Sequence, residues 1–281
     1  MRLTTFRIAD TVTYGAVTPA GIVDLGRRYS RQYPDLKALL AGNGVVDAMA
    51  HLDGPPDYQE SEVSWLPVIP NPSKIVCVGL NYEDHRIEAG LDRNANPALF
   101  LRTCESQVGH KAAIVRPRES ATLDYEAEIA VVIGKMGRRI PQAEAWRHIA
   151  GYSCYNDGSV REWQRHTQQY TAGKNFSSTG GFGPWLVTTD EVPPDTVMTL
   201  SCRLNGEVVQ HATTEQMIFT LPRLIEYIST ITTLLPGDVI VTGTPAGVGS
   251  RRTPAIWMKP GDKVEVEIDK VGVLENTITD D

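Results

Sequence analysis

Three carboxylates at alternate positions, directly before an uninterrupted apolar run, place the strongest constraint on this chain. The stretch is LDYEAEIAVVIG, residues 123–134, and its acids are Asp124, Glu126 and Glu128. Side chains of a β-strand alternate between its two faces, so these acids share one face. Two unit charges about 7 Å apart, the spacing of residues i and i+2, repel by about 2 kcal/mol at an effective dielectric constant of about 20. Such a cluster must be solvated, protonated or neutralised by a cation.

The residues that follow favour a cation. Positions 129–133 read IAVVI and contain no polar residue, which is typical of a strand covered on both faces. Burial adds a desolvation cost to the repulsion between the carboxylates. The alternative is an edge strand whose carboxylates are solvated. We favour a bound cation, with further ligands supplied by other parts of the chain.

Charge and composition narrow the possible partners. The formal net charge of −7 disfavours nonspecific binding to nucleic acid or to a membrane surface, because both need a basic protein surface. No apolar run approaches the roughly 20 residues of a membrane span. The N-terminal segment lacks the apolar region of a signal peptide, so a cytoplasmic protein is expected. Four scattered cysteines without a CxxC pair predict reduced thiols in the core, and these are Cys77, Cys104, Cys154 and Cys202.

The chain of 281 residues divides into two regions of different texture. Residues 1–66, with short alternating segments, predict a small N-terminal domain, and the proline-rich residues 67–72 predict a linker. Residues 73–281 hold apolar strands and only short helical patches, at 84–90, 159–167 and 220–232. Strands and helices do not alternate regularly. The fold class predicted is therefore mainly β (α+β), a mixed β-roll or barrel rather than a doubly wound sheet.

A histidine and a glutamate follow the end of one predicted strand. In VGLNYEDHRIEAG, residues 78–90, His85 and Glu88 are three positions apart and share a helix face. A carboxylate beside an imidazole fixes its tautomer and makes it a better base. By spacing alone, a solvated surface pair is the more common outcome. The pair is a candidate base whose role depends on what surrounds it.

A third carboxylate, Asp157, lies in an Asn-Asp-Gly turn ahead of a short helical patch. Ordinary turn chemistry explains an aspartate at this position equally well. Together with Glu126 and Glu128, however, Asp157 would complete an all-oxygen site. Oxygen ligands suit Mg²⁺ or Mn²⁺ better than zinc.

Two glycine-rich segments could contact an anion. Lys174 lies in TAGKNFSSTGGFG, where a desolvated lysine could stabilise an oxyanion, although a surface loop lysine is more common. The segment DVIVTGTPAGVGS, residues 238–250, lacks both the Lys-Ser/Thr of a P-loop and a GxGxxG pattern. Nucleotide binding is therefore not expected, while Thr244 and nearby backbone amides could contact a small anion.

Taken in order, these motifs closely resemble the fumarylacetoacetate hydrolase family over about residues 70–275. They are KIVCVGLNYEDHRIE, LDYEAEIAVVIGK, GYSCYNDGSVREWQ, GKNF with GPWLVT, and PGDVIVTGTPAGVG. The resemblance implies a mixed β-sandwich roll after a small N-terminal domain, usually in a homodimer. It also implies Glu126, Glu128 and Asp157 as ligands of Mg²⁺ or Mn²⁺, and a structural, hydrogen-bonding role for Asp124.

The same resemblance implies roles for the remaining candidates. His85 and Glu88 would activate water from a lid, expected over residues 83–98, and Lys174 would bind an oxyanion. Substrate contacts would come from Arg102, Arg161, Gln164 and Thr244. Two departures concern the substrate: Asn175-Phe176-Ser177 replaces the Ser-Phe-Asp of many members, and Arg102 stands where many have lysine.

The predicted function is a divalent-metal-dependent hydrolase that cleaves a carbon–carbon bond in an acylpyruvate or related 1,3-dioxo acid. Its partner would be a small anionic 2-oxo or dioxo acid. Decarboxylation or tautomerisation of a 2-oxo acid, or isomerisation of an unsaturated dioate, could use the same metal site. A protein that holds a structural Ca²⁺ is a non-enzymatic alternative, although the clustered DxDxDG acids of calcium loops are absent from the sequence.

Overall fold

The computed structural model describes residues 1–42, 44–52 and 54–281. Its strands are β1 Arg2–Ile8, β2 Thr11–Thr18, β3 Gly21–Asp24, β4 Ser64–Trp65, β5 Ile75–Gly79, β6 Ala98–Arg102, β7 Gln107–Val108, β8 Ile114–Arg116, β9 Leu123–Asp124, β10 Ala127–Ile133, β11 Ile149–Asn156, β12 Ser159–Val160, β13 Gly180–Thr188, β14 Thr199–Leu204, β15 Glu207–Thr213, β16 Val239–Val241, β17 Lys263–Ile268 and β18 Gly272–Asp280. The mainly β architecture predicted from the sequence is confirmed.

The helices are short. They are α1 Leu25–Tyr29, α2 Leu36–Ala41, α3 Gly44–Met49, α4 Glu83–Ala89, α5 Arg161–Gln164, α6 Thr171–Lys174 and α7 Leu221–Ile231. Helix α2 begins where the Asp35 carboxylate accepts a hydrogen bond from the Ala38 N–H at 2.7 Å, and it ends at Gly42. Of the patch predicted over 159–167, only α5 is helical. The α6 helix was not predicted.

Two sheets form the body of the molecule. The larger runs in the order β3-β2-β1-β13-β11-β10-β16-β5-β6, with β4 paired to β1 and β7 to β13. The smaller has the order β15-β14-β17-β18-β8. Strand β10 lies between β11 and β16, antiparallel to both, whereas β16 and β5 are parallel. The strand with the acidic motif is therefore central in the larger sheet.

Strand β10 is buried on both faces, as the apolar run predicted. Ile129, Val131 and Ile133 belong to a core cluster that includes residues of the smaller sheet and of α7. Ala130 and Val132 point the other way, into a cluster that includes residues of α2. Because both faces are covered, each residue of the run can be apolar without the alternation of a half-exposed strand.

The N-terminal strands extend the same large sheet. Strand β1 pairs antiparallel with β13, and the Thr5 hydroxyl donates to the Val68 carbonyl at 2.8 Å. Val68 and Ile69, within the predicted linker, are buried. The boundaries 1–66, 67–72 and 73–281 stay a prediction. Among the residues described, no helix is long and apolar enough to cross a membrane.

His110 gives the fold a predicted acid sensitivity. Its Nδ1 accepts a hydrogen bond from the Glu275 N–H at 3.1 Å, and its ring meets Trp65 edge-on. Burial, with a smaller contribution from Lys111, lowers the pKa of His110 from 6.5 to about 4. Since the folded protein disfavours the charged imidazole, stability is full above pH 6.5 and falls as pH drops toward 4.

We expect the His110→Asn variant to lose part of this sensitivity, because an amide oxygen can accept the same hydrogen bond and does not titrate. Urea unfolding at pH 7.5 and pH 5.0 measures the difference. The parent should lose on the order of 1 to 2 kcal/mol more than the variant between these values. His166→Asn, at an exposed histidine, is the control. Equal losses in parent and His110→Asn would contradict the assignment.

Candidate active site

The carboxylates predicted to cluster do so where the central strands of the large sheet begin or end. This end of the strands is called the sheet edge below. Strands β10 and β11 are antiparallel neighbours, so the start of β10 lies beside the end of β11. The Asp157 N–H donates to the Glu126 carbonyl at 2.9 Å. One carboxylate oxygen each from Glu126, Glu128 and Asp157 lies within 4.8 Å of the others, and all three residues are buried. Register within the sheet therefore builds the cluster.

The neighbouring strands complete this edge. Strands β5 and β16 are parallel to β11 and end at the same side as the cluster. Strand β16 ends at Val241, and Gly243 just after it adopts a positive φ of 102°. This turn directs the Gly243 N–H at the Glu128 carboxylate. The conformation is easy for glycine and costly for other residues.

Three basic side chains are buried among the acids. Arg161 contacts Asp124 at 2.7 Å and Glu126 at 2.6 Å. Lys174 Nζ bridges Glu126 at 2.7 Å and Asp157 at 2.6 Å.

The third base, Arg102, contacts Asp157 at 2.6 Å. The chain Asp124–Arg161–Glu126–Lys174–Asp157–Arg102 is called the charge network below.

Asp124 has the structural role that the sequence predicted. Besides Arg161, its carboxylate accepts hydrogen bonds from the backbone N–H groups of Tyr125, Gly249 and Ser250, at 2.8 to 2.9 Å. The side chain is fully buried. It holds the loop after β16 against the start of β10 and fixes the direction of the Arg161 guanidinium.

Glu128 differs from the other acids of the cluster because no basic side chain of the described residues pairs with it. Burial opposes ionisation of Glu126, but Lys174 and Arg161 outweigh it and lower the pKa of Glu126 to about 2. The pKa of Glu128 is raised well above its usual value by burial and by the charges of Asp157 and Glu126. Within the part of the chain described, no Lys, Arg or His nitrogen lies within 4.0 Å of its carboxylate. A divalent cation would supply the missing positive charge.

The donor set thus fits a hard divalent cation. The four buried acids of this region (Asp124, Glu126, Glu128 and Asp157) face three buried bases (Arg102, Arg161 and Lys174). The acids therefore exceed the bases by one ionisable group. All three clustered ligand candidates are carboxylates, which suit Mg²⁺ or Mn²⁺. Their role as ligands stays a prediction.

The His85–Glu88 pair lies over the same edge. Helix α4 places His85 Nδ1 at 3.0 Å from Glu88 Oε2, and the Gly247 N–H donates to Glu88 Oε1 at 3.0 Å. By spacing alone, a solvated surface pair is the more common expectation for His85 and Glu88. In the structure the pair is partly buried. Burial opposes ionisation of Glu88, but the hydrogen bonds from His85 and Gly247 prevail and lower its pKa. An ionised Glu88 accepts a hydrogen bond from Nδ1–H, which leaves Nε2 without a proton and able to act as a base.

Two adjoining cavities lie between this helix and the carboxylates. The inner cavity, about 60 Å³, is lined by residues that include His85, Glu126, Glu128, Lys174 and Thr244. The outer cavity, about 190 Å³, lies toward the ends of α4 and α5. Five residues line both, and these are Leu80, His85, Arg161, Gln164 and Tyr170. The base and the carboxylates therefore share one continuous space.

The other residues predicted to contact substrate differ in how free their polar groups are. Arg161 lines both cavities, and its buried Nη2 has no hydrogen-bond partner among the residues described. Gln164 lines both cavities and accepts from Arg161 Nη1 at 2.9 Å. The Thr244 hydroxyl lines the inner cavity, but it already donates to the Ala127 carbonyl and accepts from Gln210. These roles stay predictions.

Arg102 lies behind the cluster. Its side chain has no exposed surface, and it donates to Asp157, to the Gly158 carbonyl and to Thr179 at 2.6 to 3.0 Å. It lines neither cavity. This geometry favours orientation of Asp157 over the contact with substrate that we predicted.

Lys174 is also more engaged than the oxyanion role implies. It donates to the carboxylates of Glu126 and Asp157 and, at 3.4 Å, to the Asp157 carbonyl, and its ammonium lies 5.0 Å from the centre of the Phe100 ring. It still lines the inner cavity.

Several lining residues escaped the sequence analysis. Phe100 and Tyr170, whose rings meet edge-on, carry no motif that would mark them as cavity residues. Leu80 has a positive φ of 56°, which no local pattern predicts for a leucine. Arg165 and Arg251 line the outer cavity. The only signal for Arg165 was its place directly after Gln164 in the predicted helical patch.

Comparison with known proteins identifies the family. The model of the fumarylacetoacetate hydrolase C-terminal domain matches residues 74–279. The chain belongs to the fumarylacetoacetate hydrolase family.

A mitochondrial oxaloacetate tautomerase of Rattus norvegicus is 41% identical over 224 residues, which cover 79% of this chain and 72% of the relative. An oxaloacetate tautomerase of Bacillus subtilis is 41% identical over 226 residues, 79% of this chain and 75% of the relative.

A solved member of the fumarylacetoacetate hydrolase family has the same fold. It is a maleylpyruvate hydrolase from Sphingobium sp. SYK-6, in complex with manganese(II) and pyruvate. The two chains align with a TM-score of 0.80 and 26% identity, over 100% of this chain and 99% of the other. Together with the buried acidic triad, this complex indicates a divalent metal site. The choice between Mg²⁺ and Mn²⁺ stays a prediction.

Asp124→Asn should destabilise this family member strongly. The amide keeps the shape of the side chain, but it places a donor where the carboxylate accepts from Arg161 or from backbone N–H groups. Breaking one partner of a buried ion pair costs about 3 to 5 kcal/mol. Chemical unfolding measures the loss. Asp280→Asn, which removes an exposed pair with Arg116, should cost less than about 1 kcal/mol. A similarly small loss at Asp124 would contradict the structural role.

Glu128→Gln should weaken metal binding without unfolding the protein. The amide removes the charge of a predicted ligand that has no cation partner among the described residues, so Mn²⁺ affinity should fall by at least about tenfold. Isothermal titration calorimetry measures the affinity. Glu144→Gln, at an exposed glutamate, is the matched control and should bind as the parent does. Undiminished affinity in Glu128→Gln would exclude Glu128 as a ligand.

Proposed function

We propose that this protein catalyses the enol–keto tautomerisation of a 2-oxo acid of the oxaloacetate class, with Mg²⁺ or Mn²⁺ as cofactor. The observation that carries the proposal is the presence of the oriented base His85 in the same cavity as Glu126 and Glu128. The names of the rat and Bacillus relatives support tautomerisation. We therefore favour tautomerisation, the alternative in the sequence analysis, over hydrolysis of a carbon–carbon bond, which the sequence analysis put first.

The cation and the charge network would bind the reactive end of the substrate. When bound at Glu126, Glu128 and Asp157, Mg²⁺ or Mn²⁺ supplies Lewis-acid chemistry, which stabilises negative charge that develops on an oxygen of a 2-oxo acid. The orphaned Nη2 of Arg161 is a buried donor available to a substrate oxygen. Leaving such a donor without a partner is costly, so an anionic ligand gains by satisfying it.

His85 would transfer the proton. In the keto-to-enol direction, its Nε2 removes a proton from the carbon next to the 2-oxo group and then delivers that proton to the enolate oxygen. The enol-to-keto direction is the reverse, so the imidazole ends each cycle in its starting form. Glu88 holds the imidazole in the required tautomer and stabilises the charged form during the transfer. Glu88 is also bound to the Gly247 N–H, which keeps α4 docked over the cavity. The lid over residues 83–98 stays a prediction, and Glu88 would anchor it in the closed position through this contact.

Hydrolysis of a carbon–carbon bond in an acylpyruvate is the second candidate. The same His85 could deprotonate a water molecule, and the maleylpyruvate hydrolase that shares the fold favours this reaction. Product analysis separates the two candidates, because hydrolysis yields two acids and tautomerisation yields one.

Assembly and compartment stay predictions. The homodimer is what the family resemblance implies. The rat relative is named as mitochondrial, whereas we predicted a cytoplasmic protein.

His85→Ala should lower kcat/KM for tautomerisation by about 10²–10⁴-fold, the usual contribution of a positioned base. The decay of enol absorbance of oxaloacetate, corrected for the spontaneous reaction, measures the rate. Mn²⁺ affinity should be retained because His85 is not a proposed ligand. Glu88→Gln should show a smaller loss. A His85→Ala enzyme as fast as the parent would contradict the mechanism, and it is the result that a protein with only a structural Ca²⁺ would give.

A further inference from the structure

The outer cavity differs in charge from the rest of the molecule. The chain has a formal net charge of −7, yet this cavity is lined by three arginines and His85, with no aspartate or glutamate among its lining residues. The arginines are Arg161, Arg165 and Arg251. Burial, and then repulsion from Arg251 and Arg161, lowers the pKa of Arg165. A cavity of this charge in an acidic protein is suited to an anion.

The guanidinium groups of Arg165 and Arg251 are available to a ligand. Within the described residues, the guanidinium groups of Arg165 and Arg251 form no hydrogen bond and no ion pair within 4.0 Å. The nearby acids are already engaged, Glu88 with His85 and the Gly247 N–H, and Asp124 with Arg161 and backbone N–H groups. The outer cavity is about three times as large as the inner one and joins it directly.

We propose that Arg165 and Arg251 form a subsite for a second carboxylate, so that the preferred substrates of this enzyme are 2-oxo dicarboxylates. The inference rests on the proposed function, which places the 2-oxo acid end in the inner cavity. The far end of the substrate then extends into the outer cavity, between Arg165 and Arg251. A planar guanidinium matches a carboxylate with two parallel hydrogen bonds, which a neutral carbonyl group cannot accept equally well.

Two substrates of nearly the same shape test the subsite. Oxaloacetate and acetylpyruvate differ by the replacement of the second carboxylate with an acetyl group, and both undergo enol–keto tautomerisation. In the Mn²⁺-loaded double variant Arg165→Gln/Arg251→Gln, kcat/KM for oxaloacetate should fall about tenfold to a hundredfold, mainly through KM. The value for acetylpyruvate should change by less than about twofold. Arg118→Gln/Arg147→Gln, which removes two exposed charges elsewhere, should leave both substrates unaffected.

A binding measurement keeps the subsite testable without turnover. Calorimetry compares malate with its 4-amide, which lacks the second charge. The parent should bind malate more tightly, and the Arg165→Gln/Arg251→Gln variant should lose that preference. Equal effects on both members of each pair, or no effect on either, would overturn the subsite. A parent enzyme that converts neither 2-oxo acid would contradict the proposed function instead, and the malate comparison would then decide the subsite alone.

Discussion

The charge network at the sheet edge is the interaction on which the rest of the site depends. Removing charges from water costs several kcal/mol for each ion, and a buried pair recovers this cost only with close geometry and satisfied hydrogen bonds. Here Arg161 and Lys174 each bridge two acids at 2.6 to 2.7 Å. Each bridging group has two fixed partners, which restrict its position from both sides. The network therefore sets the positions of Glu126 and Asp157 before any cation is bound.

Glu128 shows why such a network still leaves room for a cofactor. Among the described residues, its carboxylate accepts a hydrogen bond only from the Gly243 N–H, in an environment that disfavours its ionisation. A network that paired all its acids would have no reason to bind Mg²⁺ or Mn²⁺. One excess carboxylate, buried beside two that are already oriented, creates a local demand for positive charge. The unusual pKa and the proposed metal site are two consequences of the same missing partner.

The sequence could predict the parts of this site that local spacing determines. Glu126 and Glu128 are two residues apart on one strand, and His85 and Glu88 are three apart on one helix. Local spacing could not predict contacts between residues far apart in the sequence. Arg161 contacts Asp124 across 37 positions, and the Gly247 N–H donates to Glu88 across 159. Arg102 and Lys174 were assigned to substrate by resemblance, yet their geometry is set by Asp157. Local periodicity predicts elements, whereas strand order and register decide which residues meet.

The choice between tautomerisation and hydrolysis depends on space beside His85. Both reactions use the same base, the same 2-oxo acid end and the same stabilised negative charge. Hydrolysis in addition needs a water molecule between Nε2 and the carbonyl under attack, whereas tautomerisation needs direct contact between Nε2 and the substrate carbon. The inner cavity, about 60 Å³, is partly walled by Val78, Leu80 and Phe100, which offer no side-chain hydrogen bond to a water molecule. A cavity this small, with an apolar part to its wall, favours direct proton transfer. Relatives with the same dyad could therefore hydrolyse substrate if this wall were wider or more polar.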